Sequence, residues 1–159
     1  MMDKLEARIP PPLLMLLFGV AIWTIDRSLP LTRFGSEWVA TEIRLGVAIV
    51  GGLVAAYLFA DAVISFRRAQ TTINPHRPGT TSVLVTGGVF NISRNPIYLA
   101  MLLLLVSWGI WLGNSGALVL CVLFVLMMNR LQIIPEERAL AELFGDQFND
   151  YQQRVRRWI

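Results

Sequence analysis

Four long apolar runs dominate this sequence, and the charged residues are clustered between them. Of the 159 residues, 55% are apolar and only 16% are charged, whereas about 25% are charged in an average soluble domain. A soluble protein of this length has too little interior to bury four such runs, so lipid must cover them. We therefore predict an all-α fold, in which residues 1–159 form one integral-membrane helical bundle with about four transmembrane helices.

The runs place the spans at about residues 11–25, 43–66, 96–112 and 117–134. The first is short for a span, which typically needs about 20 residues. We still interpret it as an uncleaved span, because no small-x-small cleavage site precedes Asp26. Since Gly113-Asn114-Ser115-Gly116 joins the last two runs tightly, we predict that they form an antiparallel hairpin.

Small residues and turn residues refine this outline. The second run contains Gly46, Gly51 and Gly52, and small residues allow close approach of helices in a membrane. After the last run, residues 135–159 have apolar residues at three- and four-residue spacing, which predicts two short amphipathic helices. Pro135 suits a first helical position and Gly145 a helix C-terminus, so we expect a separate amphipathic tail.

The arginines indicate how the bundle is oriented in the membrane. Between spans two and three lie Arg67, Arg68, Arg77 and Arg94, and the tail carries Arg138, Arg154, Arg156 and Arg157. The connection between spans three and four has no charge. Cytoplasmic loops carry an excess of Lys and Arg. We therefore predict a multi-pass protein whose basic loop and both termini are cytoplasmic.

The composition also excludes several classes of function. With one cysteine, Cys121, and one histidine, His76, the chain has no intramolecular disulfide, and we expect no metal site built from such ligands. The net charge of +3 fits membrane orientation, because no basic surface interleaved with aromatic residues is visible for a nucleic acid. The sequence leaves the oligomeric state open.

The segment Ser93-Arg94-Asn95-Pro96-Ile97-Tyr98 marks the start of the third span. Asn95 is a favourable N-cap and Pro96 a favourable first helical residue. Unpaired amides at a helix N-terminus, beside the positive Arg94, suit a carboxylate or phosphate. The residues alone favour a simpler interpretation, a capped helix whose arginine meets lipid headgroups.

Two adjacent carboxylates, Glu136 and Glu137, follow the fourth span. Near a membrane surface they are natural partners for a cation such as an ammonium or a sulfonium. The alternative is that they stabilise the first turn of a helix through its macrodipole. Taken by themselves, these residues favour that alternative.

Other polar residues lie within or beside the apolar runs. Asn129, Arg130 and Gln132 interrupt the end of the fourth span, where polar groups are costly and usually face a cavity or a partner. Arg130 could also extend to the headgroups. Asp61, near the end of the second span, is open to pairing with one of the arginines that follow it.

The order and spacing of several motifs resemble those of the isoprenylcysteine carboxyl methyltransferase family, which belongs with the membrane phospholipid methyltransferases. The motifs are Leu84-Val85-Thr86-x-Gly88-Val89-Phe90, Arg94-Asn95-Pro96-x-Tyr98, Glu136-Glu137 and Phe144-Gly145-x-x-Phe148-x-x-Tyr151-x-x-x-Val155-x-Arg157. They cover about residues 74–158, and each motif is weak alone, but the ordered set is specific.

This resemblance implies a methyltransferase that uses S-adenosyl-L-methionine (hereafter S-adenosylmethionine). It implies cofactor contacts from Ser82, Val83, Leu84, Val85, Phe90, Asn95, Pro96, Ile97, Tyr98 and Glu136. We expect catalytic roles for Arg94 and Glu137, and substrate contacts from Arg130 and Gln132. The acceptor would be small or lipophilic: an isoprenylcysteine-like carboxylate, a phospholipid amine or a thiol.

Three departures from the family pattern bear on the acceptor. Asn95 stands where histidine is common, Ala100 where glycine is usual, and Gln132 where the prenylcysteine enzymes carry an arginine that meets the substrate carboxylate. The last departure predicts poor turnover of prenylcysteines. Two other functions stay open at this point: an inactive ligand-binding or sensor protein that keeps the cofactor site, and a purely structural membrane protein.

Overall fold

The computed structural model describes residues 9–28, 40–69 and 83–159, and the regular structure in these ranges is entirely helical. The α-helices are α1 (Pro11–Ser28), α2 (Thr41–Arg68), α3 (Pro96–Leu112), α4 (Gly116–Met128), α5 (Ile134–Phe144) and α6 (Asp146–Arg154). A 3-10 turn at Gly88–Asn91 precedes α3, and a π-turn at Asn129–Ile133 joins α4 to α5. The predicted all-α fold is confirmed.

Two of the described helices are long and apolar enough to cross a membrane. One is α2, with 28 residues, and the other is the continuous 29-residue helix Gly116–Phe144, which comprises α4, the π-turn and α5. The third helix is apolar but shorter, with 17 residues, and its bounds coincide with the predicted third span. The number of four spans and the orientation in the membrane stay predictions.

Pro135 lies in the first turn of α5, as predicted, but the expected separation of this helix from the fourth span is wrong, because the fourth apolar helix continues through the π-turn into α5. Proline in a regular α-helix clashes with the carbonyl four residues earlier and donates no hydrogen bond. Directly before Pro135 the helix widens into the π-turn, and the Ile134 amide donates to the Asn129 carbonyl five residues back. The wider turn accommodates the proline. The two predicted tail helices exist as α5 and α6, separated at Gly145.

The third helix lies at the centre of the bundle. It packs against α2 on one side and against α1 and α4 on the other, with α1 also contacting α4. A Cβ added at Gly51 would collide with the side chain of Ser107, so the close approach of α2 and α3 requires glycine there. Gly46 and Gly52 face open space. Of the three predicted small contact residues, therefore, only Gly51 serves this purpose.

Two hydrophobic clusters hold these helices together. One joins α2, the 3-10 turn, the start of α3 and the Phe148 and Tyr151 side chains of α6. The other joins α1, α3 and α4 around the fully buried Phe124. Between them they bring the start of α1, the end of α2, the start of α3 and the π-turn to one end of the bundle, which we call the site end.

Candidate functional site

A cavity of about 300 Å³ lies at the site end. Seven of the residues predicted to form the site line it: Phe90, Arg94, Asn95, Pro96, Ile97, Tyr98 and Glu136. Five further residues complete the wall: Pro11, Pro12, Phe59, Phe66 and Met101. The helical topology thus gathers the α3 start and Glu136, which are about 40 residues apart in the sequence, around one space.

The start of α3 forms one wall of this cavity. Pro96 is the first residue of the helix and Asn95 occupies the N-cap position, as predicted, but the Asn95 side chain makes no capping hydrogen bond. Its Nδ2 instead donates to the Arg157 carbonyl at 3.0 Å, and its backbone amide donates to Ser93 Oγ at 3.1 Å. The predicted capping hydrogen bond is therefore wrong, because the side-chain amide of Asn95 donates to the Arg157 carbonyl instead.

Glu137 is held between two arginines. Arg94 Nη2 donates to Glu137 Oε1 at 2.9 Å, while Arg157 donates through Nε to Oε1 at 3.0 Å and through Nη2 to Oε2 at 2.6 Å. The hydrogen bond to Glu137 raises the pKa of the Arg157 guanidinium, against an opposing effect of burial. Arg94 Nε is buried and has no hydrogen-bond partner among the described residues. Arg94, which lines the cavity, therefore keeps one N–H donor that makes no hydrogen bond to a described residue.

Glu136 faces a different partner. Tyr98, one turn into α3, donates its hydroxyl to Glu136 Oε1 at 2.5 Å, and both residues line the cavity. Glu136 is not at the free start of a helix, because α5 continues from α4 through the π-turn. The macrodipole alternative therefore explains Glu136 less well than a role in the cavity does.

The 3-10 turn before α3 positions the aromatic side of the cavity. Its first residue, Gly88, has φ +61°, and an added Cβ would lie 2.5 Å from Asp61 Oδ2. Asp61 Oδ2 accepts the Val89 amide at 2.9 Å, so Asp61 anchors this turn to the end of α2. The turn presents Phe90, whose ring packs edge-on against Phe66 with centroids 5.2 Å apart.

Residues 155–158, which we call the tail segment, form hydrogen bonds to the start of α3 and to the π-turn. The Arg94 amide donates to the Arg156 carbonyl at 3.0 Å, and Trp158 Nε1 donates to Asn129 Oδ1 in the π-turn at 3.0 Å. Just before the segment, the Tyr151 hydroxyl donates to the Phe90 carbonyl at 2.7 Å. Burial raises the pKa of Tyr151 to about 12, with Arg94 opposing the shift, so this phenol stays a donor at neutral pH.

Five of the remaining predicted site residues are described, and none of the five is among the residues that line the cavity. Gln132 is buried, with 3% of its surface exposed, and its Nε2 donates to the Ile9 carbonyl at 2.7 Å. Arg130 is half-buried in the same π-turn. Leu84 and Val85 pack against the first hydrophobic cluster, Val83 is exposed, and Ser82 lies outside the described residues. The binding roles predicted for all six stay predictions.

The model of the phospholipid methyltransferase family matches residues 41–147. The chain belongs to this family. The match includes the cavity residues from α2 to α5 but not Pro11 and Pro12 of α1, and it confirms the resemblance predicted from the ordered motifs.

Three known proteins are similar to this chain over 63 to 138 residues. Protein-S-isoprenylcysteine O-methyltransferase B of Arabidopsis thaliana is 30% identical over 119 residues, which are 75% of this chain and 58% of that protein. Methanethiol S-methyltransferase of Pseudomonas deceptionensis is 26% identical over 138 residues, 84% of this chain and 47% of that protein. An uncharacterized protein of Haemophilus influenzae is 46% identical over 63 residues, 40% of this chain and all of that protein.

The chain therefore spans about half the length of the two relatives with named activities. Family and relatives together indicate a membrane methyltransferase. Within this family the methyl acceptors differ, since one named relative acts on an isoprenylcysteine and the other on methanethiol. Membership of the family alone therefore does not identify a methyl acceptor for this chain.

Sequence reasoning missed two kinds of site residue. Pro11, Pro12 and the phenylalanines of α2 line the cavity, yet they look like any other apolar residues of a membrane helix. The tail segment acts largely through backbone carbonyls, which have no sequence signature. Asp61 was noticed as a polar residue near a span end, and a carboxylate in that place is the signal that indicated a local role.

Proposed function

We propose that this protein is an S-adenosylmethionine-dependent methyltransferase whose cofactor site is the cavity at the site end. The observation that carries this proposal is the presence of an anion site and a cation site in one small space. The anion site is the start of α3 with Arg94, and the cation site is Glu136. The volume of about 300 Å³ is at the lower end of the range for small-molecule sites, about 300–1,000 Å³.

The chemistry of the lining residues fits S-adenosylmethionine, which carries a carboxylate, an ammonium and a sulfonium. Amides at the start of α3 suit the carboxylate, as does the buried Nε of Arg94, which lacks a partner among the described residues. A buried polar atom of this kind normally has a hydrogen-bond partner. Glu136 suits the ammonium, and the rings of Phe66 and Phe90 offer aromatic faces to positive charge.

The mechanism we infer depends on positioning and on exclusion of water. When bound, S-adenosylmethionine supplies an electrophilic methyl group on sulfur. The residues of the site hold donor and acceptor in line, a contribution of about 7–11 kcal/mol in well-oriented reactions. Glu137 is poorly placed to act as a base, because both of its oxygens accept hydrogen bonds from arginines and it does not line the cavity. This favours an acceptor that reacts as an anion, such as a carboxylate or thiolate, which needs no base on the protein.

A second groove supports a lipophilic acceptor. It has a volume of about 390 Å³ and runs between α1 and α3, and we call it the α1–α3 seam; its lining residues are Met15, Leu16, Gly19, Val20, Trp23, Leu104, Leu105 and Trp108. Met15 and Leu16 follow the cavity residue Pro12 by about one helical turn on α1. Leu104 and Leu105 follow the cavity residue Met101 by about one turn on α3. The seam thus continues the cavity along the bundle.

The seam is open to the outside of the bundle. Leu16, Val20 and Trp23 are each about half exposed, and in a membrane this surface faces lipid. An acceptor with a hydrocarbon chain could lie in the seam with its reactive group at the cavity. We therefore propose that the acceptor enters from the bilayer between α1 and α3.

Two measurements on the purified full chain test these proposals. Calorimetric titration with S-adenosylmethionine should show binding, and transfer of a labelled methyl group to extracted membrane lipids should show turnover. Absence of binding would contradict the proposed function. Binding without transfer to any lipophilic acceptor would instead favour the inactive ligand-binding alternative.

A pair of glycine variants tests the seam. Gly19→Leu should fill it, since a Cβ at Gly19 makes only ordinary contact with Leu105, at 3.8 Å. We expect slower methyl transfer to lipids and unchanged binding of S-adenosylmethionine. Gly52→Leu on α2 faces open space and is the matched control. Equal transfer by both variants would exclude the seam as the acceptor route.

A further inference from the structure

Arg157 makes hydrogen bonds to three residues at the site, Ser93, Asn95 and Glu137. Its guanidinium makes two hydrogen bonds to the Glu137 carboxylate, at 3.0 and 2.6 Å. Its backbone carbonyl accepts Asn95 Nδ2 at 3.0 Å and Ser93 Oγ at 3.4 Å. The partners lie at the start of α3 and on α5, so this one residue of the tail segment ties together the two elements that supply charge to the cavity.

We propose that Arg157 is a positioning residue of the cofactor site, which fixes Glu137 against Arg94 through its side chain and orients the Asn95 amide through its carbonyl. The proposal rests on the proposed function of the cavity. It assigns to the tail segment a role in binding, in addition to its packing against the bundle.

The carbonyl of Arg157 decides which atom Asn95 offers to a ligand. One N–H of Nδ2 donates to this carbonyl, which fixes the orientation of the amide, and Oδ1 accepts no hydrogen bond within residues 9–28, 40–69 and 83–159. Asn95 lines the cavity. The Oδ1 atom therefore offers an acceptor to a ligand N–H or O–H, in addition to the second N–H of Nδ2. A neutral histidine has the same pair of functions, one ring nitrogen donating and the other accepting.

The guanidinium of Arg157 acts through Glu137. Both oxygens of Glu137 are engaged by Arg157, and Oε1 also accepts from Arg94 Nη2. This arrangement fixes the rotamer of Arg94 and leaves its Nε without a protein partner among the described residues. The Arg157 side chain is 36% exposed, and ion pairs at such sites add little to stability. Loss of the Arg157 side chain should therefore disturb the site more than the fold.

The first test compares arginine variants by calorimetric titration of the full chain with S-adenosylmethionine. Arg157→Gln should weaken binding roughly three- to tenfold, the worth of one ordinary hydrogen bond, and Arg157→Lys should recover part of the loss. Arg154→Gln, which removes an exposed arginine of α6, should change affinity by about twofold at most. Thermal unfolding without ligand should be the same for Arg157→Gln and Arg154→Gln.

The outcomes separate this proposal from the proposed function. If the wild-type chain does not bind S-adenosylmethionine, the proposed function fails. If it binds and Arg157→Gln binds equally well, or if Arg154→Gln weakens binding as much, the positioning role is overturned. A double-mutant cycle adds a second criterion: Glu137→Gln in the Arg157→Gln background should cost less than in the wild type, because the two residues act as a unit. Full additivity would also overturn the proposal.

The second test concerns the carbonyl and does not require any change at Arg157. Asn95→His keeps a donor for the carbonyl and an acceptor for the ligand, whereas Asn95→Asp is nearly isosteric but loses the donor and places a negative charge beside the carbonyl. We expect S-adenosylmethionine to bind to the histidine variant more tightly than to the aspartate variant. Equal affinities, or tighter binding to the aspartate variant, would overturn the assigned orientation of Asn95.

Discussion

Replacing Glu136 with glutamine tests the cation site most directly. The substitution keeps the shape of the side chain and an acceptor for the Tyr98 hydroxyl, now 2.5 Å from Oε1, and removes only the charge. Arg94 and Glu136 are the charged residues among those that line the cavity, so Glu136→Gln leaves no described carboxylate there. A hydrogen bond to a charged group contributes about 1.5–3 kcal/mol. The Kd for S-adenosylmethionine, measured by calorimetry, should therefore rise roughly ten- to a hundredfold.

A control on the same helix makes this measurement specific. Glu142 is exposed on α5, so Glu142→Gln should change the Kd by about twofold at most. Glu137→Gln should have an intermediate effect, because Glu137 contacts the arginines rather than the cavity. An unchanged Kd for Glu136→Gln would refute the assignment of this carboxylate to a bound cation and would limit its role to holding Tyr98.

Two further predictions concern the bundle itself. Single cysteines at Ser115 and Gln153, in a Cys121→Ser background, should be labelled from opposite sides of sealed vesicles. The reason is that the α3–α4 turn and α6 lie at opposite ends of the bundle. Labelling of both cysteines from the same side would contradict a transmembrane α4. Gly51→Leu should lower the free energy of unfolding by about 1–3 kcal/mol, because even a Cβ there meets a side chain of α3. Gly52→Leu should leave the unfolding midpoint unchanged, since this position faces open space.

Helix bounds could be predicted where local chemistry decides them. The third helix begins at Pro96 and ends before Gly113, as predicted, because proline is favoured at a helix start and Gly113 adopts φ 70° at the helix end. At Pro135 the same reasoning was right about the start of α5 and wrong about its separation from the fourth span. A proline after polar residues normally indicates a new helix, and no sequence pattern indicated that a π-turn would accommodate it within a continuous helix.

The site could be predicted only where a residue carries chemistry of its own. Arg94, Tyr98 and Glu136 are polar groups at the ends of apolar helices, where they are costly and therefore informative. The opposite wall of the cavity comes from Pro11, Pro12 and Phe59, far away in the sequence. Which apolar residue faces a cavity and which faces lipid depends on how the helices pack, and the composition of one helix does not contain that information.

The role of Gln132 leads to a prediction about the acceptor. The sequence predicts a substrate contact from Gln132 in place of an arginine, but in the structure Gln132 Nε2 donates to the Ile9 carbonyl at 2.7 Å, two residues before the cavity residue Pro11. Arg94 is then the cation on the described wall for the carboxylate of a prenylcysteine, but Arg94 is already paired with Glu137. We therefore expect N-acetyl-S-farnesylcysteine to be methylated at least about tenfold more slowly than the best acceptor in a lipid extract, the difference made by one charged hydrogen bond.

Substitutions at Gln132 distinguish a structural role from a direct role in acceptor binding. Gln132→Glu removes the donor to Ile9 and buries a carboxylate, which should lower stability by about 1–3 kcal/mol and slow transfer to every acceptor alike. Gln132→Arg also breaks this bond, because the longer side chain does not fit the buried position, so it should not create activity on the farnesylcysteine analogue. A selective gain on that analogue in Gln132→Arg, with transfer to lipids unchanged, would show that position 132 reaches the acceptor after all. Brisk wild-type turnover of the analogue would instead assign its carboxylate to another cation, and Arg94→Gln and Arg130→Gln would identify which one.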